Sequence, residues 1–113
     1  MGSSEKFCLK WNDFQTNISK SYQSLREDQD FSDVTLICDG DTRIEAHRVI
    51  LAASSKFFSK VLKQHQHPHP LLYMRGITAS QLSAVVDFIY YGEVNIYSKR
   101  IWMPFLIWLK SSS

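Results

Sequence analysis

The stretch over residues 31–62, FSDVTLICDGDTRIEAHRVILAASSKFFSKVL, constrains the fold of this chain more than any other. Val34, Leu36 and Cys38 alternate along one run and Ile44 and Ala46 along a second, with Asp39-Gly40-Asp41 between them. Alternation on both sides of an Asp-Gly turn predicts a half-buried hairpin. The hairpin leads through Glu45-Ala46-His47-Arg48 into Val49-Ile50-Leu51-Ala52-Ala53. Ser54-Ser55 then offers a cap for a second helix whose apolar face holds Phe57, Phe58, Val61 and Leu62. The two helical segments over residues 49–62 are therefore expected to be largely buried. The polar junction at His47 and Arg48, at the mouth of an apolar element, is where function is to be sought.

On the amino-terminal side, Phe7-Cys8-Leu9-Lys10-Trp11 reads as a short strand with no neighbour in sequence to pair with. It must pair at long range or with another chain. Asn12 or Asp13 is placed to cap a helix, with Gln15 available for the reciprocal bond. Phe14, Ile18, Tyr22 and Leu25 follow at spacings of four, four and three, one apolar stripe on an otherwise polar helix. Residues 26–30 form a polar link to the hairpin.

On the carboxy-terminal side, Gln64-His65-Gln66-His67-Pro68-His69-Pro70 ends the helix as a loop, because proline opposes its continuation. Three alternating histidines suit adventitious metal chelation better than a closed tetrahedral site, since no carboxylate or thiolate flanks them. Leu71-Leu72-Tyr73-Met74 reads as a short strand. Thr78-Ala79-Ser80-Gln81 is a capping box for a helix carrying Leu82, Val85, Val86, Ile89 and Tyr90, closed by Gly92. Val94 and Ile96 alternate with Asn95 and Tyr97 as a last strand. From Ser98 the character changes. Ile101-Trp102-Met103-Pro104-Phe105-Leu106-Ile107-Trp108-Leu109 is apolar all round and too short for a bilayer, which takes about 20 apolar residues. Its aromatic residues beside Lys99 and Arg100 also suit a membrane interface.

A chain of 113 residues, 44% of them hydrophobic, supports one small domain with a single core. Thirteen basic residues against eleven acidic ones leave a net charge of +2, with the basic residues scattered, so no electrostatic footprint for nucleic acid is present. Two cysteines, Cys8 and Cys38, make no disulfide framework or zinc spacing, and Cys38 reads as a small strand-core residue. The first residues lack the apolar run of a signal peptide, so a reducing intracellular compartment is expected. Gly2 begins like an acylation motif, but Lys6 stands where that motif needs Ser or Thr. No nucleophile with a supporting acid is suggested near His47, so no enzyme and no cofactor are expected.

In four ordered motifs the chain resembles the BTB/POZ domain, and in particular the insect tramtrack type. They are Phe7-Cys8-Leu9-Lys10-Trp11-Asn12, Phe31-Ser32-Asp33-Val34-Thr35-Leu36, the run from Ala46-His47-Arg48 to Lys56-Phe57-Phe58, and Phe88-Ile89-Tyr90-Tyr91-Gly92-Glu93-Val94. The resemblance implies an α+β fold, helices clustered with a small sheet, that self-associates as an intertwined dimer. Phe7, Leu9 and Trp11 would pair with the partner's strand around Val94 and Ile96, and the helix bearing Phe14, Ile18, Tyr22 and Leu25 would pack on its symmetry mate. Asp33 and Arg48 match the family's paired charges in a pocket near the interface, and His47 matches its nearly buried core histidine.

Residues 1–6 are thus expected to be an amino-terminal segment, residues 7–97 a BTB/POZ domain incomplete at its carboxy-terminal end, and residues 98–113 a divergent apolar tail replacing the usual helices. The function the resemblance implies is a protein–protein interaction module for nuclear transcription regulators, acting as a homodimer or heterodimer with other BTB domains. Higher oligomers and corepressors are further partners, without direct nucleic-acid contact or a membrane span. The alternative is a substrate adaptor for a cullin-type ubiquitin ligase, which needs helices beyond those present here.

Overall fold

The computed structural model of the protein describes residues 4–95. The elements in order are α1 (Phe14–Asp28), β1 (Val34–Cys38), β2 (Arg43–Ala46), α2 (Arg48–Ser54), α3 (Lys56–Gln64), β3 (Leu71–Met74) and α4 (Ala79–Tyr91). This is the α+β arrangement expected, with a three-stranded sheet in the order β2-β1-β3. The predicted hairpin is β1 and β2, paired antiparallel with Leu36 opposite Ile44. Gly40 takes φ 87° and Asp41 φ 60° in the connecting turn, where only glycine adopts the left-handed region without strain.

Only β2 keeps the expected half-burial, with Ile44 and Ala46 buried and Arg43 exposed. β3 returns through α2 and α3 to lie parallel to β1, with Thr35 opposite Leu71 and Ile37 opposite Tyr73. β1 is therefore the central strand, and all five of its residues are buried. Val34, Leu36 and Cys38 face the core with Ile44 and Ala46, where they meet Leu51, Phe58, Leu82, Val85 and Val86 from the helices. Full burial of a side chain such as Phe58 or Leu82, both at 0% exposure, contributes about 1.5–3 kcal/mol.

Local signals hold where the backbone is extended ahead of a helix. Ser55 Oγ accepts the Phe58 N–H at 3.3 Å as the cap of α3. At α4 the Thr78 hydroxyl accepts the Gln81 N–H at 3.2 Å, and the Gln81 side chain accepts the Thr78 N–H at 3.0 Å, completing the capping box. Gly92 closes α4 at φ 83°, its N–H bonded to the Phe88 carbonyl at 2.9 Å.

Two expectations fail. The cap proposed at Asn12 or Asp13 does not form: Asp13 sits at φ 60°, and no side chain there reaches an orphan amide. A left-handed backbone does not aim the Asp13 oxygens along the helix as an extended cap residue does. Second, α2 and α3 are not buried throughout. Ile50, Leu51, Phe58 and Leu62 are buried, but Val49 is 77% exposed because it lies on the outer side of the first turn of α2.

α1 lies along α4. Only its second half docks, where Tyr22 and Leu25 pack against the core and Arg26 Nε meets Asp87 Oδ1 at 3.0 Å. Its first half carries Phe14 into solvent, with the Trp11 ring edge-on to it at 5.0 Å between centroids.

Candidate interaction surface

The polar junction expected at the exit of the hairpin is a set of three side chains with separate duties. Asp33, just before β1, crosses to the start of α2. Its Oδ1 accepts the Arg48 backbone N–H at 2.8 Å and its Oδ2 meets Arg48 Nε at 3.0 Å. A carboxylate thus occupies the positive end of α2 and takes one of its orphan amides. Burial alone works to raise the Asp33 carboxyl, but the Arg48 amide, guanidinium and charge together outweigh it and hold the pKa below the ordinary carboxylate value. The pair is not buried, with side-chain exposures of 34% for Asp33 and 38% for Arg48. It lines an open hollow of about 320 Å³ with Val49, Ala52, Leu62 and Lys63. With both side chains about a third exposed, the cost of burying two charges does not arise in the single chain.

His47 is 8% exposed and fully bonded. Its backbone N–H donates to Tyr90 Oη at 2.9 Å, its Nδ1 lies 2.7 Å from the same oxygen, and its Nε2 lies 2.6 Å from the Asp30 carbonyl. Nε2–H donates to the Asp30 carbonyl, and Nδ1 and the Tyr90 hydroxyl share one proton between them. Through these contacts His47 ties the link after α1 and the start of α2 to α4. Burial pushes the Tyr90 hydroxyl up to about 12, against the lowering effect of the His47 N–H.

The residues expected at an interface divide into three groups. Phe7, Leu9, Trp11 and Phe14 are exposed at 81%, 96%, 60% and 49%. Residues 7–11 form no strand and, among the described residues, pair with none. Ile18 is half-buried, whereas Tyr22 and Leu25 belong to the docking of α1 on its own core. Val94 is half-buried and takes no strand conformation, and Ile96 lies outside the described residues, as does the tail from Ser98. The expected last strand is therefore not formed in its described part.

Sequence reasoning missed Tyr90 as a polar partner, because at helical spacing it reads as one more apolar position. It also missed Phe31, which is 89% exposed at φ 63° and stands beside the junction in sequence. The histidine loop is less free than expected. Thr35 Oγ1 donates to Glu45 at 3.0 Å and lies 2.8 Å from His69 Nε2, so His69 donates to Thr35. Arg48 Nη1 also donates to the His67 carbonyl at 3.2 Å. Among the described residues no group of three or more His, Cys, Asp or Glu side chains is arranged to hold a metal ion, and no helix is long and apolar enough to cross a membrane.

Comparison with known proteins follows the same lines. The family model described as the BTB/POZ domain matches residues 22–103. The chain is 42% identical over 101 residues to the Broad-complex core protein isoforms 1/2/3/4/5 of Drosophila melanogaster, covering 89% of this chain and 14% of that protein. It is 40% identical over 101 residues to the Longitudinals lacking protein-like of the same organism, covering 89% of this chain and 79% of that one. The chain thus spans about a seventh of the first relative and most of the second. In three dimensions it is similar to the BTB domain of zebrafish PATZ1, with a TM-score of 0.70 at 22% identity, covering 88% of this chain and 79% of that chain.

Proposed function

This chain belongs to the BTB/POZ domain family, and on that premise we propose that it is a protein–protein interaction module that pairs with a second BTB chain, as a homodimer or a heterodimer. One observation carries the reading. Phe7, Leu9, Trp11 and Phe14 form a continuous apolar arm and helix end, half to almost fully exposed, with nothing among the described residues to cover them. A single chain rarely keeps so many large apolar side chains in water unless they meet a partner. Among the described residues, neither residues 7–11 nor Val94 takes part in a sheet pairing. Exchange of the two segments between copies pairs both and buries the α1 stripe from Phe14 and Ile18 onward, an isologous arrangement.

The regulatory setting follows from the family resemblance. The module acts among nuclear transcription regulators, bringing BTB-bearing chains together without itself contacting DNA. Asp33 and Arg48 sit beside exposed Val49 and serve pairing geometry more than stability. Sedimentation equilibrium of the intact chain tests the reading. A dimer at micromolar concentration is expected, and Leu9→Asp with Trp11→Asp shifts it to monomer with an unchanged circular dichroism spectrum. A monodisperse monomer that also fails to associate with a related BTB domain overturns it.

A further inference from the structure

A second apolar surface lies away from the amino-terminal arm. Among the described residues β3 pairs with β1 alone. The Thr35 N–H bonds the Pro70 carbonyl at 3.1 Å and Thr35 stands opposite Leu71, so in this parallel pair the backbone groups of Leu71 and Tyr73 point away from β1. An outward row of this kind accepts a further strand. Phe57 and Val61 of α3, with His65 just beyond it, run beside that edge at intervals of four residues. Between helix and edge lies a groove of about 590 Å³. Leu71 and Tyr73 line it together with Leu72 and Met74, which leave the strand on the opposite face, so the groove follows the edge itself. Leu71 and Tyr73 are 59% and 57% exposed.

Charge selects what fits there. No Asp or Glu occurs over residues 46–86, a stretch that holds Arg48, Lys56, Lys60, Lys63 and Arg75. Lys56 and Lys60 follow the row of α3 next to Phe57 and Val61, and both are exposed. Arg75 is exposed just past the end of β3. The lining itself holds three histidines and no carboxylate. Glu45 and Asp39, which reach this region from β2 and the hairpin turn, are engaged. Glu45 meets His69 Nε2 at 3.4 Å and accepts the Thr35 hydroxyl at 3.0 Å, and Asp39 accepts the Gly76 N–H at 3.4 Å and the Tyr73 hydroxyl at 3.5 Å. Pairing with the β3 of a second copy sets the cations of both against one another, which like charges disfavour. A nucleic acid uses the cations but neither the apolar groove nor the strand edge. We propose that the occupant is an extended acidic segment of a partner protein, added to β3 as a fourth strand. Its backbone pairs with Leu71 and Tyr73, its apolar side chains enter the groove against Phe57 and Val61, and flanking carboxylates reach Lys56, Lys60 and Arg75 at the rim.

The test titrates the full chain with a blocked peptide made of a short valine run flanked on both sides by glutamates, and with the same peptide carrying lysines instead. The glutamate peptide is expected to bind about ten-fold tighter than the lysine peptide and to slow exchange of the Leu71 and Tyr73 amides about ten-fold. Leu71→Asp removes the binding and Lys60→Glu narrows the preference between the peptides, both at exposed positions and with an unchanged circular dichroism spectrum. Leu9→Asp with Trp11→Asp leaves both readouts as they are, so failure of this proposal and failure of the dimer are told apart. Binding of neither peptide, equal affinity for the two, or protection that falls outside β3 overturns the proposal. So does a thymidine oligonucleotide that protects the same amides as well as the peptide does. Leu71 and Tyr73 amides already protected without peptide overturn it too: loss of that protection on dilution assigns the edge to a second copy, and its persistence assigns the edge to the chain itself.

Discussion

His47 and Tyr90 bond each other twice, the His47 N–H reaching Tyr90 Oη at 2.9 Å and that hydroxyl lying 2.7 Å from His47 Nδ1. One phenolic group therefore accepts from a helix-start amide and also partners a buried imidazole nitrogen. Both histidine contacts lie in the interior, where water is not available to replace them.

Removing that hydroxyl isolates the cost. Tyr90→Phe keeps the ring in the core but leaves the His47 N–H and Nδ1 without partners. Unsatisfied buried polar groups cost about 1–3 kcal/mol each, so a loss of about 2 kcal/mol in urea unfolding is expected, with an unchanged m-value. A loss under about 0.5 kcal/mol shows that the two atoms find other partners.

The same residue sets an alkaline limit. The Tyr90 pKa is pushed up to about 12, above the ordinary tyrosine value. A group whose folded pKa is raised gives stability that is complete below the ordinary value, near 10, and lost as pH climbs through the folded one. About 2–3 kcal/mol is expected to disappear between pH 10 and pH 12, in addition to any effect of the other tyrosines. Comparing unfolding midpoints with those of Tyr90→Phe across that range checks it, since the variant lacks this component of the slope.

Asp33 acts at the opposite end of the scale. Its pKa is lowered, so its contribution is present above the ordinary carboxylate value and is lost as pH falls through the folded one. With both partners about a third exposed, solvent screening holds that contribution to about 1 kcal/mol or less. Asp33→Asn is expected to be slightly less stable at pH 7 and to converge with the parent at acid pH, once the folded carboxyl is protonated. Urea titrations at the two pH values measure the convergence, and a constant gap assigns the effect to packing instead.

Phe31 separates folding from association. At φ 63° and 89% exposure it holds a strained backbone for no packing in the single chain. Phe31→Gly is expected to leave stability unchanged within about 1 kcal/mol, because relief of the left-handed strain offsets the added freedom of the unfolded chain. A weakened dimer at unchanged stability, read by sedimentation, places Phe31 in the interface.

Much of this architecture is legible in the sequence because its signals are local. The Asp-Gly turn, the Thr78 and Gln81 box and Gly92 each fix a backbone conformation within four residues, and each element forms where expected. What failed depends on distant chain. Full burial of β1 follows from β3 arriving on its other side, which nothing in residues 34–46 announces. Val49 reads as core by composition and is exposed by its rotation about α2. Of the candidate site, His47 and Arg48 stand out in the sequence as a polar junction and Asp33 by family resemblance, and the three lie together, but the role of His47 required Tyr90, 43 residues away.

The parallel pairing of β3 with β1 also orders events in time. Leu36 and Ile44 are eight residues apart and meet by closing one turn, whereas Ile37 and Tyr73 are separated by 36 (73 − 37). Loop closure of that length must precede any reward from the contact, so the hairpin forms early and β3 joins late. Until it does, Thr35 and Ile37 face water on a bare strand flank, and a ribosome-bound or refolding chain is most vulnerable to mispairing there.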